Sequence, residues 1–149
     1  MRAVVQRTRC SKVLVNEQLV GQAGPGLTVL LGIKRGDQIS DAEYMIDKII
    51  NLRIFEDDEG KMNRSLLDCS GDILLVSQFT LYGDARRGRR PGFSDAELPE
   101  LAQPLFEKCL ELIRAKGIRV ETGIFGEHMV VTMDNDGPCT IILDSDRNF

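Results

Sequence analysis

The chain contains no tryptophan and a single histidine, His128, among its 149 residues. The lone histidine excludes most. Serine hydrolysis of the usual kind needs a base beside the serine, most often histidine. His128 opens the apolar stretch His128 to Met133, a place that suits a half-buried structural histidine. Ser77 also lacks a Gly-x-Ser-x-Gly elbow, so a triad hydrolase is not expected. The four cysteines, Cys10, Cys69, Cys109 and Cys139, form no C-x-x-C pair. With one histidine there is no zinc-ligand spacing, and the cysteines read as small buried thiols. No zinc site is expected. No apolar run approaches the ~20 residues of a membrane helix. The start, MRAVVQRTRCSK, lacks the apolar core and cleavage site of a signal peptide. A cytoplasmic protein without disulfides is expected. Neither a Walker A nor a dinucleotide fingerprint is present, which excludes an NTPase and a dehydrogenase. A basic excess is missing too: the net charge is −4, unlike a protein that coats nucleic acid indiscriminately.

What is present fits one soluble domain spanning residues 1–149, with 42% hydrophobic and 28% charged residues. The stretch ILLVSQFTLYGDARRGRRPGF, Ile73 to Phe93, organises it. An apolar strand delivers Ser77, Gln78, Phe79 and Thr80 to its end, then leaves through Gly83 into an arginine cluster. A rigid strand opening into an accessible loop is a common way to build a site.

Around it the chain alternates strands and helices. Residues 2–7 read as a first strand and 12–15 as a second, running into a turn. Gly24-Pro25-Gly26 is a turn, and 27–33 a buried strand. Ser40-Asp41-Ala42-Glu43 has the form of a capping box for a helix over about 41–52, with Ala42, Met45, Ile46, Ile49 and Ile50 on its apolar face. Leu66 and Leu67 read as inward anchors of a loop. Ser94-Asp95-Ala96-Glu97 offers a second capping box. In the helix after it, Leu101, Leu105, Cys109 and Leu112 share a side, Ala102, Phe106 and Ile113 widen that stripe, and Pro104 is awkward. The end reads as strands 118–122, 128–133 and 139–143, with Asn135-Asp136-Gly137-Pro138 as a hairpin tip. Two helices cover one face of one sheet. The remaining strands must form a second layer or curl against the first.

Arg86, Arg87, Arg89 and Arg90 lie close together on a Gly-rich loop. Guanidinium groups so placed suit phosphate, and their mutual repulsion favours an anionic partner. A solvated loop with internal ion pairs is the plain alternative.

Five stretches carry a family resemblance: MRAVVQR, LRIFEDDEGKMNRSL, SQFTLYGD with RRGRRPGF, TGIFGEHM, and NDGP with ILDS. SQFTL and NDGP, together in this order and spacing, are highly specific. The chain resembles the D-aminoacyl-tRNA deacylases along nearly its whole length. The resemblance implies an α/β homodimer whose subunit has three layers, two packed β-sheets and a helical layer. It implies hydrolysis of the ester joining a D-amino acid, or glycine, to the terminal adenosine of tRNA, with no cofactor. Ser77, Gln78, Phe79 and Thr80 would line the pocket. The Gln78 and Phe79 amides would chiefly meet the oxyanion, and the ribose 2′-hydroxyl would help to activate water. Gly137-Pro138 would be a cis pair inserted into the partner's pocket against an L side chain. Phe125 and Met129 would shape the adenosine pocket, and Arg7 would fix the Gly-Pro loop. Arg86, Arg87, Arg89 and Arg90 would then meet the acceptor end of tRNA. Departures are Cys139 after Gly137-Pro138, Gly83 and Gly92 in the arginine loop, and the tail beyond ILDS. Thr80 remains as an alternative nucleophile. The rivals are an RNA-binding module without catalysis, using the Arg86–Arg90 loop, and a small esterase using Ser77 or Thr80.

Overall fold

The computed structural model describes residues 1–148. Its centre is β6 (Asp72–Ser77). Ile73 and Leu75 belong to the main core, Leu74 and Val76 to a smaller second one. A strand covered on both faces needs apolar residues at every position, which accounts for the unbroken run Ile-Leu-Leu-Val.

β6 runs parallel to β3 (Gly26–Gly32) on one side and to β7 (Val120–Thr122) on the other. Parallel neighbours cannot be joined by a tight turn. The chain crosses over through α1 (Ile39–Asn51) before β6 and through α3 (Pro99–Ala115) after it. α1 buries Ala42, Met45, Ile46, Ile49 and Ile50, and α3 buries Ala102, Phe106, Cys109, Leu110 and Ile113. Both stripes pack on Ala3, Val5, Leu27, Val29 and Leu31. Each fully buried aliphatic side chain contributes about 1.5–3 kcal/mol. Between α1 and β6 lie β4 (Phe55–Glu56), β5 (Met62–Arg64) and the single turn α2 (Leu66–Cys69).

β1 (Arg2–Val15) ties the layers together. One edge pairs with β3 over Arg2–Thr8 and with β2 (Gln18–Ala23) over Ser11–Val15. The other edge pairs with β8 (Val130–Asp144) from Arg2↔Asp144 to Leu14↔Val130. The sheet curls until β2 meets β7. A Cβ on Gly21 would stand 2.4 Å from the Thr122 carbonyl oxygen, so this approach requires glycine. The two β layers are therefore one six-stranded sheet folded over itself, with helices against one face.

Several sequence expectations change. Residues 12–15 are the far half of β1, not a second strand. The NDGP segment is no hairpin tip. β8 continues on both sides of it, and Asp136–Cys139 bulge out opposite the single residue Arg7. α1 starts earlier, where the Asp41 carboxylate accepts from the Gln38 amide at 2.8 Å, so Ser40-Glu43 does not cap it. α3 starts at Pro99, because Ala96 is held in a bridge to Lys34 and Glu97 accepts from the Gly36 amide. Leu66 is fully buried, whereas Leu67 and Leu101 are exposed. Cys10 and Cys69 are exposed, and only Cys109 and Cys139 are buried. Among the described residues no helix is long and apolar enough to cross a membrane.

The β1–β8 pairing ends in a polar latch. Arg2 donates to the Asp144 carboxylate at 3.1 and 3.3 Å, and the Asp146 amide and Asn148 side chain donate to it as well. Burial alone would raise the Asp144 carboxyl. The Asn148, Asp146 and Arg2 hydrogen bonds outweigh it and hold the group below its ordinary value. A lowered folded-state value stabilises the fold above the unfolded carboxylate range, about pH 4, and is lost as pH falls through the folded value. Urea midpoints at neutral and acid pH should therefore differ more for the wild type than for Asp144→Asn.

Candidate active site

Ligands in sheets with parallel strands gather outside the carboxyl ends of those strands. A cavity of about 560 Å³ lies at that end of β3 and β6. Leu31 and Ile33 come from β3 and its exit, Val76, Ser77 and Gln78 from the end of β6. Phe125 and Met129, on the loop between β7 and β8, line it too. The Met129 sulfur lies where a Cβ on Gly123 would be, 2.2 Å away, so glycine is what lets this side chain fold against the loop.

β6 does not simply continue past Ser77. The Gln78 amide still donates to the Leu31 carbonyl at 2.8 Å, which extends the β3 pairing by one residue. The chain then tightens into a 3-10 turn over Phe79–Tyr82, whose first bond runs from the Leu81 amide to the Gln78 carbonyl. The amides ahead of that bond, Phe79 and Thr80, have no acceptor within the turn. No hydrogen bond from either is present among the described residues. The Gln78 amide, expected as an oxyanion donor, is already engaged. The Gln78 side-chain amide donates to the Thr80 hydroxyl at 2.5 Å.

The cavity thus unites Ser77, Gln78, Phe79, Phe125 and Met129. Thr80, Arg7, Gly137, Pro138 and Arg86 to Arg90 lie outside its lining. It adds residues that were not expected to line it. His128 is exposed and lies on the cavity wall, rather than half-buried at the head of a strand. Phe93 packs edge-on against Phe79, ring centroids 5.1 Å apart, and Arg35 and Glu97 complete one side. Phe125 is backed by Phe106 of α3 at 5.9 Å. Phe93 closes the RRGRRPGF stretch, His128 lies in TGIFGEHM and Glu97 ends the Ser94–Glu97 pattern, whereas no motif marks Arg35.

Arg7 is 9% exposed. Its Nε donates to the Asp136 carbonyl at 3.0 Å and its Nη1 to the Ile54 carbonyl at 2.6 Å. It sits directly under the β8 bulge. Gly137 and Pro138 at the top of the bulge are exposed, and the bond between them is cis.

The arginine cluster divides. Arg86 makes a two-pronged pair with Asp84, both bonds at 2.8 Å. That side-chain pairing, with the Arg86 amide, pulls the Asp84 carboxyl down to about 2. Arg87, Arg89 and Arg90 have no hydrogen bond or ion pair among the described residues. The loop is pinned at its base by the Asp84–Gly92 bridge.

The family model described as D-Tyr-tRNA(Tyr) deacylase matches residues 4–144. The chain belongs to this family of hydrolases. A D-aminoacyl-tRNA deacylase of Syntrophomonas wolfei is 62% identical over 149 residues, covering all of both chains. One of Clostridioides difficile is 58% identical over the same length, again covering both in full. Among solved structures, a protein named c-Myc DNA Unwinding Element Binding Protein superposes with a TM-score of 0.90 at 41% identity, over 97% of this chain and 98% of that one. The D-Tyr-tRNA(Tyr) deacylase match spans both the SQFTL strand end and the NDGP bulge.

Proposed function

We propose that this D-aminoacyl-tRNA deacylase cleaves the ester between a D-amino acid, or glycine, and the ribose of the terminal adenosine of tRNA. It acts as a homodimer and needs no side-chain nucleophile. The observation that carries this reading is the cavity at the end of β6, entered beside the unbonded Phe79 amide and walled by Phe125 and Met129. Water adds to the ester carbonyl, and the negative charge on its oxygen is met by the Phe79 amide, with the Thr80 amide beside it. One preorganised donor of this kind is worth about 10²–10³ in rate. An aminoacyl ester is already reactive, so this suffices with the ribose 2′-hydroxyl helping to activate water. The leaving group is the ribose oxygen, which takes the proton. Phe125 and Met129 hold the adenine.

Gly137 and Pro138 stand exposed and outside the chain's own cavity, which suits a role in the cavity of a second copy. Their carbonyls there form a wall against an L side chain. Steric exclusion acts on the competitor directly, so discrimination does not depend on binding energy to the D side chain. The outer edge of β8 pairs with no strand among the described residues, and Val130 and Ile142 on it are half-exposed. Long unpaired edges of this kind are usually covered in natural proteins.

Thr80→Ala separates the amide-based reaction from a nucleophilic one. Single-turnover hydrolysis of D-tyrosyl-tRNA should fall by about tenfold or less, through loss of the Gln78 contact. A loss of about 10⁴ or more would make Thr80 the nucleophile. The arginines give a second test. Arg87→Glu with Arg89→Glu should weaken tRNA binding and lower its salt slope by about one per lost phosphate contact. An unchanged slope would leave these residues without a role in binding.

A further inference from the structure

A second cavity, again of about 560 Å³, lies across a ridge from the first. Lys34 and Ala96 form the bridge at the crest, and the Arg35 amide donates to the Asp95 carbonyl at 2.8 Å. Arg35 and Ala96 line the first cavity, Lys34 and Asp95 the second. The 3-10 turn does the same, with Phe79 on the first side and Tyr82 on the second.

The charges in this second cavity balance: Arg2, Lys34 and Arg86 against Asp84, Asp95 and Asp146. Asp84 is paired with Arg86 and Asp146 with Lys34. The Asp95 side chain has no hydrogen bond or ion pair among the described residues, so its carboxylate is an open acceptor. Tyr82 is 6% exposed, and its buried hydroxyl has no hydrogen-bond partner. A simple anion gains little in a cavity of balanced charge. A ligand carrying both an anion and an amino donor matches it. Lys34 keeps donors free beyond its one bond to Asp146, and these suit a phosphodiester. A carboxylate accepts from the exocyclic N4 amino group of cytosine. The arginine loop continues from the same rim through Ala85 and Arg86.

We propose that this cavity takes the nucleotide preceding the terminal adenosine, a cytidine in tRNA, with its phosphate on Lys34 and its N4 amino group on Asp95. This rests on the reading of the first cavity as the aminoacyl-adenosine pocket. The ridge then separates the two nucleosides, and the RNA leaves over Arg87 to Arg90. Lys34 and Asp95 are binding residues that add affinity for the RNA without touching the ester.

The test compares three small substrates: D-tyrosyl-adenosine, and the dinucleotides CpA and UpA carrying D-tyrosine on the adenosine. Wild-type kcat/KM should be about tenfold or more higher on the CpA ester than on the adenosine ester. The UpA ester, which presents a carbonyl in place of N4, should lose most of that gain. Asp95→Ala and Lys34→Ala should abolish the gain and leave hydrolysis of the adenosine ester unchanged. Equal rates on adenosine and CpA esters, equal rates on CpA and UpA esters, or variants that slow all three alike would overturn the proposal. Failure of the wild type on every one of them would overturn the reading of the first cavity, and this one with it.

Discussion

Replacing Arg7 with alanine is expected to lower the preference for D- over L-tyrosyl-tRNA by about tenfold or more, and stability by about 2–4 kcal/mol. Arg7 is the single β1 residue opposite the bulge Asp136–Cys139. Its guanidinium ties the Asp136 carbonyl to the Ile54 carbonyl, and the Asp136 carboxylate lies 3.4 Å from Nε. Hydrogen bonds from a charged donor are worth about 1.5–3 kcal/mol each, and alanine removes two while leaving the buried Ile54 carbonyl without this donor. The bulge then loses its fixed height, and with it the wall that we propose Gly137-Pro138 present to a second copy. Arg7→Lys keeps the charge but not the two-pronged geometry, and should recover only part of both effects. Pro138→Ala separates the two. Pro138 is exposed, so stability should change little while the D/L ratio falls. Urea unfolding and tyrosine release, measured on the same preparations, check all three variants. A ratio unchanged in Arg7→Ala and Pro138→Ala would remove the bulge from selectivity.

Phe106→Ala is expected to have the largest cost in stability, about 3–5 kcal/mol. Its ring is 3% exposed and joins α3 to the main core. It also stands behind Phe125, ring centroids 5.9 Å apart. The void left by alanine lets Phe125 drop away from the cavity. KM for D-aminoacyl-adenosine should rise several-fold while kcat changes less, since the Phe79 amide, the proposed oxyanion donor, is on a different element. A fall in urea midpoint with KM unchanged would show that Phe125 keeps its place without Phe106.

The parts of this fold that were legible in the sequence are those whose pattern is local. The unbroken apolar run at Ile73 to Val76 marked a strand covered on both faces, and helical spacing marked the five buried residues of α1. Features that depend on a distant partner were not legible. The burial alternation of β1 is interrupted at Thr8 to Cys10, where the pairing with β8 shifts, so one strand looks like two. NDGP has the chemistry of a tight turn, and only the presence of β1 alongside makes it a bulge. Ser94 to Glu97 spells a capping box, yet the bridge from Ala96 to Lys34 holds that segment out of helix. The site divides in the same way. Strand order and motif spacing pointed to Ser77 to Phe79, and the cavity lies there. That the Gln78 amide is engaged by Leu31 is a fact of tertiary geometry, whereas Arg86 is neutralised by Asp84 within the loop itself. Asp84 is only two residues from Arg86, so that pair was the one such contact within reach of a sequence reading.

Tyrosine release from the same tRNA charged with either enantiomer tests the central claim most directly. Purified protein should release D-tyrosine rapidly and leave L-tyrosyl-tRNA near its rate of spontaneous hydrolysis. Equal release of both enantiomers, or no release of D-tyrosine, would contradict it.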